Sequence, residues 1–453
     1  MVKLISINPA TEEKLETYNS NNVLDIPKYI NNAKKAFSYY SELSVKERCN
    51  YLKKISILLL KRKKEYSKLI TSEMGKPIRE SIAEIEKCAW VCNYYAENGE
   101  KFLEDEIIKT EYKKSYVKFQ PLGIIVCVMP WNFPFWQVFR FTIPALTVGN
   151  SIILRHSTQT LGCSEAMNDL FNEVLPKNAF QNFISTTEVA EKLIQSNING
   201  VSFTGSTNVG RRIGELAGKN IKKFVLELGG SDPFIVLKDA EINSTCEGAI
   251  TGRFINTGQS CIAAKRFIVH KDKAKEFTNK VVELVKNLKT GDPLNFETNI
   301  GPLVSEKQRN NLEIQVNNSV KKGAKVLIGG KRLNRKGYFY MPTVLSNINN
   351  KMSVIKEEVF GPVLPILIVN DDNEAINEAN NSDYGLGASL WTQDLKKAQK
   401  YASKIQTGFI SVNQIVKSDP RLPFGGVKNS GIGRELSRYG LLEFCNIKGV
   451  VIK

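Results

Sequence analysis

The spacing of apolar positions changes after the first quarter of the chain. Before that point apolar residues recur three and four positions apart over residues 26–70 and 76–105, as in YLKKISILLLKRKKEYSKLI. This spacing predicts long helices. Gly75 and Pro77 interrupt the pattern between the two regions, and Pro77 fits the first turn of the second helix. The stretch SYVKFQPLG (115–123) then alternates as an exposed strand or hairpin does.

Beyond that stretch, short apolar runs alternate with helical patterns. The runs GIIVCVMP, TIPALTVG, SIILR, GVSFTGS and KKFVLELGG form one series, and a second series begins near residue 231 with PFIVL, RFIVH, LPILIV, ASLWT and GFISV. Strands that alternate with helices over short connections predict an α/β fold with parallel sheets. Ligands of such sheets bind at the carboxyl ends of the strands. The C-terminal NIKGVVIK (446–453) is a lone strand, which we expect to pair in an interdomain or intersubunit sheet.

Length and charge narrow the classes of protein. A chain of 453 residues is too long for one core and fits two or three domains. The net charge of +17 would be compatible with a nucleic-acid partner. The lysines are spread along the chain without a nucleic-acid motif, however, so we expect no such partner. RNA binding through the basic surface is the non-enzymatic alternative. The longest apolar stretch, GIIVCVMPWNFPFW, is interrupted by two prolines and too short for a bilayer. With no apolar signal segment at the N-terminus, a cytoplasmic protein without a membrane partner is predicted.

Cysteines and histidines limit the chemistry further. The eight cysteines are mostly far apart and are expected to be free thiols. Cys88 and Cys92 lie four positions apart in a helical pattern, but His156 and His270 are the only histidines. We therefore expect no metal site. Acid–base catalysis by histidine is also disfavoured.

Three short motifs carry candidate chemistry. Cys261 ends FINTGQSC (254–261), where backbone amides can lower the pKa of a thiol and small neighbours leave room for a substrate. Glu227 ends an apolar strand in ELGGSDP and is a candidate general base. Asn132, between two prolines in MPWNFP, can donate to a developing oxyanion. Each has a plain structural alternative: a packed turn cysteine, a solvated strand-end glutamate and an ordinary asparagine turn.

Ten motifs follow one another in a recognisable order. They are INPATEE (7–13), EMGKP, PWNFP, FTGST, LELGG, NTGQSC, IGPLVS (300–305), EEVFGPV (357–363), YGLGASLWT (384–392) and PFGGVKNSGIGRE (423–435). With this set the chain resembles the aldehyde dehydrogenase superfamily over its whole length, and within it the succinate-semialdehyde dehydrogenase-like branch. The resemblance implies a Rossmann-type cofactor domain, a second α/β catalytic domain and a small β element for oligomerisation.

The same resemblance divides the chain. Residues 1–111 and 129–228 would bind the nicotinamide cofactor, and residues 229–422 would form the catalytic domain. A hairpin at 112–128 and a strand within 436–453 would mediate assembly into a homodimer or homotetramer.

The resemblance also implies catalytic roles. Cys261 matches the nucleophile that attacks the aldehyde to give a thiohemiacetal and, after hydride transfer to NAD(P)+, a thioester. Asn132 and the backbone amide of Cys261 match the oxyanion hole. Glu227 matches the base that activates water, and relatives that pass the acyl group to coenzyme A typically lack it, so release of a free acid is favoured. Glu435 matches a carboxylate that assists proton exit, with an interface ion pair to Arg434 or another base as the alternative.

Further positions match cofactor contacts. They are Trp131, Gly205, Ser206, Gly210, Leu228, Glu358 and Phe360, with the FTGSTNVG segment (203–210) at a helix start that suits a pyrophosphate. In SIILRHSTQT (151–160) the family pattern of Lys-Pro-small-Glu is replaced, and Thr158 stands at the glutamate position. A 2′-phosphate then meets no carboxylate, Arg155 can contact it in bidentate fashion and Ser157 adds a donor. NADP is therefore favoured, and NAD binding with Arg155 as a ribose contact is the alternative.

The substrate side matches relatives that act on succinate semialdehyde. Arg140 and Ser418 match positions that bind the distal carboxylate of the substrate, and Phe424 lies six residues after Ser418. Some members carry a second arginine where this chain has Ile255. Arg140 also occurs in relatives that use lactaldehyde, so lactaldehyde and other short aldehydes stay open beside succinate semialdehyde.

Overall fold

The computed structural model describes residues 2–453. Its helices in that range are α1 (Ile26–Tyr40), α2 (Val45–Lys61), α3 (Lys63–Met74), α4 (Ile78–Phe102), α5 (Trp136–Val148), α6 (Leu161–Val174), α7 (Thr187–Gln195), α8 (Thr207–Lys219), α9 (Ile242–Phe254), α10 (Lys271–Lys286), α11 (Glu306–Lys321), α12 (Ser353–Lys356), α13 (Asp372–Asn380), α14 (Leu395–Ala402) and α15 (Ser437–Leu442).

The strands form five sheets. They are β1 (Lys3–Ile7), β2 (Lys14–Asn19), β3 (Glu106–Ile107), β4 (Lys114–Pro121), β5 (Ile124–Met129), β6 (Ser151–His156), β7 (Phe180–Asn182), β8 (Gly200–Thr204), β9 (Lys223–Glu227), β10 (Asp232–Val236), β11 (Ala264–His270), β12 (Lys325–Ile328), β13 (Thr343–Ser346), β14 (Val363–Val369), β15 (Tyr384–Gly385), β16 (Gly387–Trp391), β17 (Phe409–Val412), β18 (Val427–Lys428), β19 (Gly431–Ile432) and β20 (Cys445–Ile452). Two small sheets pair β1 with β2 and β15 with β18.

The first large sheet has the order β19-β9-β8-β5-β6-β7 and is parallel except for β19. Successive residues of β5 point to opposite faces. Val126 packs into a cluster with apolar residues of α1, α7 and α8, whereas Cys127 packs into a cluster with residues of α2 to α6. Both faces are therefore covered, which explains why its strands read as continuous apolar runs.

The second large sheet has the order β12-β13-β14-β11-β10-β16-β17, parallel except for the pair β12–β13. Phe234 of β10 packs against apolar residues of α9 and α10, and Ile235 against those of α11 to α14. The antiparallel β19 returns from the far end of the chain to pair with β9. The segment between β17 and β19 therefore connects the edge of the second large sheet to the edge of the first.

A third sheet, in the order β20-β4-β3, corrects one expectation. Residues 112–128 do not form a hairpin: β4 pairs with β20 and β3, whereas β5 lies inside the first large sheet. Gly123, at φ 133°, lies between β4 and β5. Glycine is required there because a side chain would collide with Asn199. The lone strand predicted at the C-terminus pairs with β4 of its own chain.

Three other boundaries differ from the sequence prediction. Residues 26–70 form α1, α2 and most of α3, because Ser44 starts a new helix with a capping box to Glu47. The apolar run TIPALTVG lies inside α5, which is buried along its whole length. Within 436–453, residues 437–442 form α15, and only β20 is a strand.

Across residues 2–453, none of the helices combines the length and apolar character that crossing a membrane requires. In the same part of the chain, no cluster of three or more His, Cys, Asp and Glu side chains is placed to hold a metal ion.

Candidate active site

Two cavities share the side chains of Cys261 and Gln137 in their walls. The larger, about 410 Å³, lies at the carboxyl ends of β5, β8 and β9. The smaller, about 290 Å³, is lined by residues of α4, α5 and the segment before β18. Cys261 is thus reached from both sides, as a nucleophile between a cofactor and a substrate must be.

The backbone before Cys261 is unusual. After α9 ends, Asn256, Thr257 and Gly258 all have left-handed dihedral angles, with φ of 53°, 56° and 73°. This conformation is costly for a β-branched residue such as Thr257. The surroundings hold it: the Thr257 hydroxyl accepts from Gly301 N (3.0 Å) and the Asn256 amide N–H donates to Glu80 (2.6 Å).

Arg253, at the end of α9, was missed by the sequence analysis. Its guanidinium is fully buried and donates to the carbonyl oxygens of Gly258 (3.1 Å), Val359 (3.1 Å), Ala264 (2.8 Å) and Gly361. The nucleophile loop is therefore tied directly to the loop that carries Glu358 and Phe360. Nothing in the local sequence marks this arginine, because its partners Val359 and Gly361 lie more than 100 residues away.

Asn132 lies against the same loop. Its side-chain Nδ2 donates to the carbonyl oxygen of Gln259 (3.1 Å), and its own carbonyl oxygen accepts from Asn256 Nδ2 (2.7 Å). An asparagine amide has two N–H donors, so one hydrogen is left for the cavity that Asn132 and Cys261 both line. The proposed oxyanion role stays a prediction, and the geometry supplies a donor for it.

Lys265 places a positive charge behind the nucleophile. Its Nζ donates to the carbonyl oxygens of Cys261 (2.6 Å) and Ser260 (3.0 Å) and lies 3.6 Å from Glu358 Oε1. Burial raises the pKa of Cys261 to about 11, against the lowering effect of the charges of Arg140 and Lys265. Without cofactor and substrate, the thiol is therefore protonated at neutral pH.

Glu227, Glu435 and Arg140 form one buried group of charges. Arg140 makes an ion pair with Glu435, donates to Thr204 Oγ1 (3.3 Å) and lies over the Phe424 ring at 4.9 Å. Burial and the charge of Glu435 raise the pKa of Glu227, while Arg140 opposes the shift. The partner of Glu435 is thus Arg140 and not Arg434, and the pair is inside one chain. Among the described residues, Glu227 lines neither cavity wall, so its water-activating role stays a prediction.

The lining of the larger cavity has groups that suit the phosphates and rings of a nicotinamide dinucleotide. Ser206 is the N-cap of α8 and lines the cavity, and its side chain makes no capping bond. Its hydroxyl and the first N–H groups of the helix are therefore available to bind a phosphate. Trp131 and Phe360 meet edge to face at 5.7 Å in the wall. Glu358 lines the wall and accepts from Gly230 N (3.0 Å), at a point where a Cβ on Gly229 would lie 2.5 Å from its carboxylate.

Other predicted cofactor residues differ in their placement. Gly205 and Leu228 line the cavity, whereas Gly210 packs against Leu228 outside that wall. Arg155 is the residue before the last of β6 and pairs with Val128 of β5, and its Nη2 donates to the Ser185 carbonyl (3.1 Å). Ser157 donates to Gln159 Oε1 (2.6 Å). Both residues lie at the carboxyl ends of the strands of the first large sheet, outside the wall of the larger cavity.

The smaller cavity gathers the predicted substrate residues. Arg140, Ser418, Phe424 and Ile255 all line it. The sequence analysis missed Lys87 of α4, whose Nζ donates to Ser418 Oγ (2.8 Å) in the same wall. Lys87 lies three positions after the buried Glu84, so the two side chains share a helix face. That spacing was the only signal for Lys87 in the local sequence.

The molecule has two large, mostly parallel sheets covered by helices, and Cys261 lies between two cavities. This arrangement is typical of a class of cofactor-dependent enzymes. Comparison with known proteins names it: the profile of the aldehyde dehydrogenase family matches residues 2–450. A probable succinate-semialdehyde dehydrogenase (NADP+) of Synechocystis is 41% identical over 99% of this chain and 99% of that protein. A succinate semialdehyde dehydrogenase (NAD(P)+) of Escherichia coli is 40% identical over 98% of this chain and 97% of that protein.

A solved structure agrees in fold. Succinic semialdehyde dehydrogenase from Streptococcus pyogenes, in complex with NADP+, superposes with a TM-score of 0.97 at 32% identity, covering 99% of each chain. The chain belongs to the aldehyde dehydrogenase family. It is an NAD(P)-dependent oxidoreductase with the α/β fold, as the motifs predicted.

Proposed function

We propose that this enzyme oxidises succinate semialdehyde to succinate with NADP+. The observation that carries the proposal is the smaller cavity, in which Cys261 is joined by Ser418 and three cationic side chains, Arg140, Lys87 and Lys417. A cationic wall suits an aldehyde whose far end is a carboxylate. The relatives named for this activity add support from outside the site.

In the proposed reaction, the Cys261 thiol loses its proton to solvent, and the resulting thiolate attacks the aldehyde carbon to form a thiohemiacetal. Asn132 Nδ2 and the Cys261 amide hold the oxyanion. NADP+, held in the larger cavity by residues such as Ser206 and Glu358, would supply the acceptor for the hydride whose loss converts the thiohemiacetal into a thioester. Glu227 then takes a proton from water, and the attack of that water releases succinate and the thiol. Because Glu227 is present, we favour hydrolysis over transfer to coenzyme A.

NADP+ is proposed over NAD+ from the edge of the first sheet. Arg155 is next to Ser157 and Thr158, and no acidic side chain stands at the glutamate position of the family pattern. The Arg155 guanidinium donates to the Ser185 carbonyl in the structure. A 2′-phosphate would replace that carbonyl as its partner, because a hydrogen bond to an anion is stronger. A homo-oligomer and a cytoplasmic location stay predictions.

The test is the initial rate of cofactor reduction at 340 nm with succinate semialdehyde, lactaldehyde and butanal, each with NADP+ and NAD+. We expect the highest kcat/KM for succinate semialdehyde with NADP+. Faster turnover of lactaldehyde or butanal would contradict the substrate, and an equal or higher rate with NAD+ would contradict the cofactor. Neither result would alter the family.

A further inference from the structure

Lys87 occupies a position in the smaller cavity that no sequence motif marks. It projects from α4, with Nζ 2.8 Å from Ser418 Oγ and 4.3 Å from the centre of the Trp136 ring. Ser418, Trp136 and Cys261 line the same cavity. The ammonium group is therefore held between an aromatic face and a hydroxyl, on the wall of the chamber that contains the thiol.

Of the two other cations in the cavity wall, Arg140 is already paired. Arg140 is in a buried ion pair with Glu435, so its charge is largely compensated before a substrate arrives. Lys87, in contrast, has no carboxylate within 4.0 Å among residues 2–453. Ile255, which stands where some relatives have an arginine, adds an apolar patch to the same wall. Lys417 also lines the cavity without a carboxylate partner among residues 2–453, but its side chain is exposed. The partly buried unpaired charge of the cavity therefore comes from Lys87.

We propose that the Lys87 ammonium and the Ser418 hydroxyl together bind the distal carboxylate of the substrate, which makes Lys87 a specificity-determining residue. This inference rests on the proposed function. A partly buried ammonium that lacks an anionic partner is destabilised, and an incoming carboxylate removes that penalty. Consistent with this, burial and the neighbouring Arg140 lower the pKa of Lys87 to about 8. Arg140, paired with Glu435, adds positive charge to the same wall.

The experiment compares Lys87→Met and Lys87→Arg with the unaltered enzyme, using succinate semialdehyde and butanal, which has the same chain length without the carboxylate. We expect Lys87→Met to lower kcat/KM for succinate semialdehyde about 10- to 100-fold, the effect of one hydrogen bond to a charged group. The value for butanal should stay within about threefold. Lys87→Arg should recover part of the loss, since it restores the charge.

Lys101→Met is the matched control, because Lys101 is an exposed lysine of the same helix. It should leave both substrates unaffected. If the unaltered enzyme does not prefer succinate semialdehyde to butanal, the proposed function is wrong. If that preference exists and survives in Lys87→Met, the role of Lys87 is wrong. An equal loss for both substrates would mean that Lys87 only supports the shape of the cavity, and would also overturn the inference.

Discussion

At the scale of the residue, the site depends on a strained loop and on the groups that hold it. Asn256 and Thr257 are non-glycine residues in the left-handed region, a conformation that costs about 1–3 kcal/mol per residue. Arg253 offsets part of that cost with its bonds to Gly258, Val359 and Gly361. The loop therefore presents Cys261 in one position before any ligand binds.

The protonation of Cys261 leads to a prediction about its reactivity. Because burial raises its pKa to about 11, the thiolate fraction should grow about tenfold for each pH unit from 7 to 10. We therefore expect the alkylation rate of the cofactor-free enzyme by iodoacetamide to rise over this whole range without a plateau. Mass spectrometry of the modified peptide measures it.

Cys261→Ser is the control for this experiment, since the seven other cysteines are buried and should react slowly. A rate that levels off below pH 9 would mean that the thiol is ionised by a stronger field than Arg140 and Lys265 supply.

At the scale of the element, α4 organises the site from one face. Glu80, Glu84 and Lys87 lie at positions i, i+4 and i+7. Glu80 accepts from Asn256 N in the nucleophile loop, and Glu84 accepts from the N–H groups of Phe135 (2.9 Å) and Trp136 (3.0 Å). One helix face thus supports the loop of Cys261, the loop of Asn132 and the substrate cavity.

Two glutamates of α4 allow a matched test of this role. Glu84 forms a fully buried ion pair with Lys76, whereas Glu86 forms an exposed one with Lys63. We expect Glu84→Ala to lower the free energy of unfolding by about 3–5 kcal/mol, because a charge and two N–H groups lose their partner. Glu86→Ala should cost less than about 1 kcal/mol.

Urea unfolding followed by tryptophan fluorescence measures both variants. The Glu84→Ala enzyme should also lose kcat, because Asn132 lies on the loop that Glu84 holds. Equal costs for the two variants would contradict the buried role of Glu84.

At the scale of the whole molecule, the β20-β4-β3 sheet carries exposed apolar residues. Ile447 and Val451 are 56% and 57% exposed and lie on one face of β20, four residues apart. Apolar patches of this kind on a sheet mark association surfaces. We therefore predict that the homo-oligomer, if formed, uses the third sheet as its interface.

A double variant tests that surface. Ile447→Lys with Val451→Lys should convert the enzyme into a smaller species in light scattering coupled to size exclusion, because two charges cannot be buried without partners. Circular dichroism should stay unchanged. Ile221→Lys is the control, since Ile221 is 96% exposed in a loop elsewhere. An unchanged mass for the double variant would mean that the third sheet is not the interface.

Much of the architecture and of the candidate site followed from the amino-acid sequence. Apolar periodicity gave the alternation of helices and parallel strands, since the spacing of buried positions follows the geometry of each element. Motif order gave the family and the candidates Cys261, Glu227 and Asn132. What the sequence did not decide were contacts between distant segments: the pairing of β4 with β20, the Arg140–Glu435 ion pair, the clamp by Arg253, and Lys87 on Ser418. Such contacts join residues more than 100 positions apart and depend on how the packed elements meet, so only the tertiary structure fixes them.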